Sequence, residues 1–112
     1  MELTASFTAS PAHTACWEAL LQGLENEEVG AIFQDRVLAA FGKAADEALD
    51  KLLQFYPPSC FIAEDWGQEG NRFEWTMALP GAYDCLAGEL QQWLQLCGAE
   101  QIEVIPSPFD DC

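Results

Sequence analysis

The segment from Arg72 to Leu79 sets the tightest terms for the fold. Phe73, Trp75, Met77 and Leu79 alternate with Glu74, Thr76 and Ala78. A period of two suits a strand with one face buried and the other open. The run from Cys60 to Trp66 is also rich in aromatic and β-favouring residues, and Gly67-Gln68-Glu69-Gly70-Asn71 between the two has turn chemistry. A β-hairpin is expected. Its first run alternates less cleanly, which leaves two registers open. With Glu69-Gly70 as the turn, Asp65 faces Glu74; in a slipped register it faces Thr76. Facing carboxylates cost a few tenths to about 1 kcal/mol. In either register Glu64, Asp65, Glu69 and Glu74 crowd the hairpin, with Arg72 alone to offset them. Such charge either blunts a sheet edge against aggregation or meets a partner.

The rest of the chain supplies elements on both sides of this hairpin. Leu3, Ala5 and Phe7 alternate with Glu2, Thr4 and Ser6, a half-buried strand. Ser10-Pro11 is an N-cap followed by proline at the first helical position, so a helix is expected over 11–24. Asn26 is the expected cap of a second helical stretch, with Glu27 and Glu28 in its first turn, where carboxylates complement the helix dipole. Apolar residues then recur at three- and four-residue steps from Val29 to Tyr56, until Pro57-Pro58 stops the helix. Gly42 is a candidate break, so one helix or two fit the pattern. Pro80-Gly81 marks a turn into a last helix, whose apolar face is Tyr83, Leu86, Leu90, Trp93, Leu94 and Cys97, and Gly98 is its C-cap. Gln101–Ile105 reads as a final strand.

The succession β, long α region, β, β, α, β predicts an α+β fold. Its expected form is the ferredoxin-like split β-α-β-β-α-β. That arrangement is a four-stranded antiparallel sheet in spatial order 4-1-3-2, covered by helices on one face, here with an extended or doubled first helical region. Residues 1–106 are read as one domain and 107–112 as an irregular tail. The open sheet face would carry Glu2, Glu74 and Glu103, with Glu64 or Asp65 at the hairpin edge.

Composition restricts the partner. Half the residues are hydrophobic, four Trp and seven Phe among them, which argues against disorder. Nineteen acidic residues against four basic ones leave a net charge of −15. That field opposes nucleic acid and anionic membrane, and it is the reverse of the basic stripe of a nucleic-acid binder. The five cysteines are odd in number and widely spaced, without a CxxC, which does not make a disulfide framework. MELTASFTAS lacks a basic and an apolar leader segment, so a reducing, cytoplasmic setting is expected.

Catalytic and metal chemistry find little support. His13 and Cys16 stand at i and i+3 on the first helix, but a zinc site needs two more convergent ligands. A reactive thiol needs an electropositive setting, the opposite of this one. Asp46 and Asp50, or Glu25-Asn26-Glu27-Glu28, offer oxygen ligands for a divalent cation without the spacing and glycine of a calcium loop. No catalytic residue, cofactor or metal is assigned from the sequence, and a non-enzyme is expected.

In size, charge and lack of catalytic residues the chain resembles small phage-encoded anti-CRISPR proteins and other DNA mimics. The residues that carry the likeness are Glu2, Glu64, Asp65, Glu69, Glu74 and Glu103, with Glu25, Glu27, Glu28 and Asp35 on the helices. The resemblance implies a non-catalytic inhibitor in the host cytoplasm, occupying a basic protein or nucleoprotein complex such as a CRISPR effector component. Carboxylates spaced over a rigid sheet and helix imitate a phosphate lattice, and complementary charge speeds association and suppresses wrong partners. The alternatives are an immunity protein or antitoxin, an acidic secretion chaperone that dimerises through the long helical segment, and a small metal- or thiol-dependent enzyme.

Overall fold

The structure is a computed structural model that describes residues 2–79 and 84–107. Four strands, β1 (Glu2–Thr8), β2 (Asp65–Glu69), β3 (Arg72–Ala78) and β4 (Glu100–Ser107), form one antiparallel sheet in the order β2-β3-β1-β4. Taken from the β4 edge, that order is 4-1-3-2. Four α-helices accompany it: α1 (Thr14–Glu25), α2 (Ala31–Phe41), α3 (Lys43–Phe55) and α4 (Asp84–Leu96). The fold is therefore α+β with an open antiparallel sheet.

The alternation read from the sequence decides which face of the sheet is buried. Leu3, Ala5 and Phe7 of β1 and Phe73, Trp75 and Met77 of β3 are fully buried. The helical layer covers that face. Trp17 of α1 meets Phe7 at 4.6 Å between ring centroids, and Trp93 of α4 meets Trp75 at 6.5 Å. Trp93 is the hub of the core, with Trp17 at 5.8 Å and Phe33 of α2 at 5.9 Å. Its indole N–H donates to the Ala45 carbonyl at 3.0 Å, which ties α4 to α3. The indole N–H groups of Trp17 and Trp75 are buried without an acceptor among the described residues. Helices α2 and α3 pack on each other and onto α1 and α4 respectively.

Local chemistry accounts for most boundaries. Ser10 accepts a hydrogen bond from the Ala12 N–H, but Pro11–His13 is a 3-10 turn and the α-helix starts at Thr14. The expected single-or-double stretch after Asn26 is two helices. Gly42, at φ 95°, separates them, a conformation that favours glycine. The start of the stretch differs from expectation: α2 begins at Ala31, and Glu27 and Glu28 lie in the connection before it. Glu27 takes φ 64°, its N–H bonds the Leu24 carbonyl and the Glu28 N–H bonds the Gly23 carbonyl. The pair closes α1 with a left-handed cap, a use of these residues that outweighs their helix-starting charge. The same device closes α4 with Gly98 at φ 79°.

The first hairpin run also differs. Pro58–Phe61 is a 3-10 turn that buries Cys60 and Phe61, and β2 begins only at Asp65. The hairpin turn is Gly70-Asn71, with Glu69 opposite Arg72 and Asp65 opposite Thr76. This is the slipped register, and it avoids the facing Asp65–Glu74 pair. The last strand also runs further than the expected Gln101–Ile105, because β4 continues to Ser107. Tyr83, the Pro80-Gly81 turn and residues 108–112 lie outside the described residues.

Candidate functional site

The face of the sheet opposite the helices is polar and open. Register fixes its composition row by row. One row runs Gly67, Glu74, Ser6, Glu103 across the four strands, and the next runs Asp65, Thr76, Thr4, Ile105. At the hairpin end, Glu69, Arg72 and Thr8 stand in line, with Glu100 paired to Thr8 beyond a bulge; Glu2 closes the other end opposite Ala78. Adjacent strands lie about 4.8 Å apart, so Glu74 and Glu103, with β1 between them, stand about 10 Å apart. Glu2, Asp65, Glu69, Glu74, Glu100 and Glu103 are all exposed.

Among the described residues the cation on this face forms no ion pair with them. Arg72 donates through Nη1 to Thr8 Oγ1 at 3.1 Å and to the Gln101 carbonyl at 2.7 Å. Its guanidinium is thereby turned toward β1 and β4, although Glu69 is its register partner. Among the described residues the ion pairs are Glu28–Arg36 at 2.8 Å and Lys43–Glu47 at 3.7 Å, both on the helical side. Thr4 and Thr76 bring their hydroxyls to 3.4 Å in the centre of the face. The surface is flat and hydrophilic apart from Ile105, and a shallow concavity of about 340 Å³ opens beside Arg72, over Ser6 and Gly67.

The residues singled out from the sequence fall into two groups. Glu2, Asp65, Glu69, Glu74 and Glu103 share the open face. Glu64 is exposed just before β2, at the opposite alternation from Asp65, and its N–H bonds the Thr76 carbonyl. Glu25, Glu27, Glu28 and Asp35 belong to the helical layer, and the end of α1 lies beside the chain entering β2, where the Ala63 N–H bonds the Leu24 carbonyl. Glu25 ends α1, Glu27 holds the left-handed cap, Glu28 pairs with Arg36, and Asp35 is exposed on α2. Glu100 escaped notice because simple alternation from Glu103 puts it on the other face. Gln101, at φ 50°, shifts the register between Ser6 and Thr8 and brings Glu100 opposite Thr8.

The His13 ring stands edge-on to Phe41 at 4.9 Å, with Nδ1 buried and without a partner among the described residues. Cys16 lines an apolar concavity of about 290 Å³ between α1 and α2. Among the described residues no three His, Cys, Asp or Glu side chains converge as metal ligands. Both carboxylate oxygens of Asp50 accept side-chain amides, from Gln34 at 3.1 Å and Gln54 at 3.0 Å. Burial pushes the thiols of Cys60 and Cys97 up from their ordinary pKa, which suppresses the reactive thiolate. Tyr56 donates to Glu89 at 2.6 Å; that bond first, then burial, pushes its phenol up to about 12. Among the described residues no helix is long and apolar enough to cross a membrane. No family model, curated protein or solved structure matches the chain.

Proposed function

We propose that this chain is a non-catalytic acidic inhibitor that occupies a basic, nucleic-acid-binding surface of another protein, in the manner of anti-CRISPR proteins and DNA mimics. The observation that carries the proposal is the open sheet face. Glu2, Asp65, Glu69, Glu74, Glu100 and Glu103 project from four hydrogen-bonded strands, and the face's cation, Arg72, is engaged with Thr8 and Gln101. In the ferredoxin-like arrangement, which the strand order supports, RNA-binding modules place aromatic residues on this face to stack bases. Here the same face carries carboxylates. A rigid lattice of unpaired charge gives fast, salt-sensitive association with a complementary surface. A CRISPR effector component is the kind of target implied, met in the cytoplasm of a host cell.

The test is capture from lysate at low salt, elution along a salt gradient, and competition with DNA or RNA. The proposal expects a basic nucleic-acid-binding protein that free nucleic acid displaces. A retained partner indifferent to nucleic acid would overturn the mimicry. A second reading, a neutraliser or secretion chaperone, draws on the apolar concavity between α1 and α2 and on the exposed side chains of Ile32, Leu38, Phe55 and Leu96. It expects capture that survives high salt.

A further inference from the structure

One residue on the open face has no explanation in the fold. Gly67 sits in the middle of β2 with φ outside the left-handed region, and a Cβ placed on it would meet nothing within 4 Å. Neither backbone conformation nor packing requires glycine there. Glycine weakens a strand, and within strands it often marks a place where a ligand or another chain approaches closely. The space it leaves is the floor of the concavity of about 340 Å³ on this face, bordered by Ser6, Glu69, Arg72 and Glu74.

Two carboxylates flank that floor. Glu74 is the register partner of Gly67, and Glu69 lies two residues along β2 on the same face, diagonal to Glu74 across the strand pair. Diagonal neighbours stand about 7–8 Å apart, within reach of one long side chain placed between them. Arg72 borders the concavity, but its Nη1 is held by Thr8 and Gln101, and neither carboxylate has an ion-pair partner among the described residues.

We propose that the concavity over Gly67 seats one arginine side chain of the protein partner, with its stem above Gly67 and its guanidinium between Glu69 and Glu74. Arginine fits better than lysine because its planar fork of five donors engages two carboxylates at once, whereas an ammonium acts as a point charge. The seat rests on the reading of this face as the docking surface for a basic protein. It adds a specific position to an otherwise diffuse electrostatic attraction.

The direct test is titration of the 15N-labelled protein with acetyl-arginine amide, followed by amide chemical shifts. The seat predicts saturable shifts that are largest at Gly67, Gln68 and Ser6, and smaller ones with acetyl-lysine amide. Glu69→Gln, which keeps the shape and removes a charge, and Gly67→Leu, which fills the floor, should each weaken the arginine response by about tenfold. The urea midpoint of each variant reports that it is folded. Equal responses to arginine and lysine, shifts centred on the helices, or an unchanged response in both variants would overturn the seat. Hexa-arginine binding separates this failure from that of the parent reading. If Glu2→Gln/Glu103→Gln weakens it while Gly67→Leu does not, the face stands without the seat. If neither weakens it, both fall.

Discussion

On the open side of the sheet, Asp65, Glu69, Glu74, Glu2 and Glu103 stand on strands whose spacing the backbone fixes. On the helical side, Glu25, Glu27, Glu28 and Asp35 stand on a helix end, a capping turn and an exposed helix face. The difference extends to what surrounds them. Arg36, Lys43 and Lys51 all lie on α2 and α3, two of them in ion pairs, whereas the sheet face has Arg72 turned aside. The helical side also exposes Ile32, Leu38, Phe55 and Leu96, and the sheet face only Ile105 among the large apolar residues described. Acid alone therefore says little about function in so acidic a chain. Placement on strands of fixed spacing distinguishes one surface from the other.

The strongest perturbation asks whether the two sides are separable at all. Trp93 joins them through Trp75, Trp17, Phe33 and the Ala45 carbonyl. Trp93→Ala should cost about 3–5 kcal/mol in urea unfolding and remove both surfaces in one transition. Melting of the helices with the sheet intact would break the molecule into two independent parts.

Arg72 sharpens the contrast because stability and binding should move in opposite directions. Arg72→Met loses the hydrogen bonds to Thr8 and Gln101 and should destabilise by about 1–2 kcal/mol. The same change makes the face more negative and should tighten hexa-arginine binding about twofold to threefold, measured by calorimetry. Weaker binding by the folded variant would mean that Arg72 contributes a contact of its own.

A smaller effect belongs to the helical side. Glu27 pays for its left-handed conformation, and Glu27→Gly should stabilise by a few tenths to about 1 kcal/mol, with hexa-arginine affinity unchanged. A marked loss of affinity would return this turn to the binding surface.

At the end of α3, Tyr56 provides a pH signature of the same layer. Its folded pKa, raised to about 12 by Glu89 and burial, means that the folded state favours the protonated phenol. The stabilisation is complete below the ordinary value near 10 and is lost as pH rises from there through about 12. Urea midpoints should fall more steeply across that window in the wild type than in Tyr56→Phe. Equal slopes would place the alkaline loss elsewhere, with the buried thiols of Cys60 and Cys97 next in line.

Much of this architecture was legible because it rests on short-range rules. The alternation Leu3-Ala5-Phe7 and Phe73-Trp75-Met77 marks the inner face directly, and Gly42 and Gly98 mark a break and a cap. Three features escaped because tertiary context decides them. Cys60 and Phe61 have strand composition, yet they follow Pro57-Pro58 and gain more by burial in a 3-10 turn. Glu27 occupies a position where glycine is usual, so the end of α1 looked like a helix start. The bulge at Gln101 reverses the alternation that would have placed Glu100. The site was half legible: the sheet carboxylates could be grouped by strand parity, but nothing in the sequence separates them from Glu25, Glu27, Glu28 and Asp35, which the fold places in the helical layer.

The most direct test of the account compares two charge-reversed proteins of equal net charge against the captured basic partner. One carries Asp65→Lys, Glu74→Lys and Glu103→Lys on the sheet, the other Glu25→Lys, Asp35→Lys and Glu18→Lys on the helices, where Glu18 is exposed on α1. With both shown to be folded, the sheet variant should bind at least about a hundredfold more weakly than wild type and the helix variant within a few-fold of it. Equal losses would mean that net charge alone drives the association. Loss confined to the helix variant would contradict the assignment of function to the open face of the sheet.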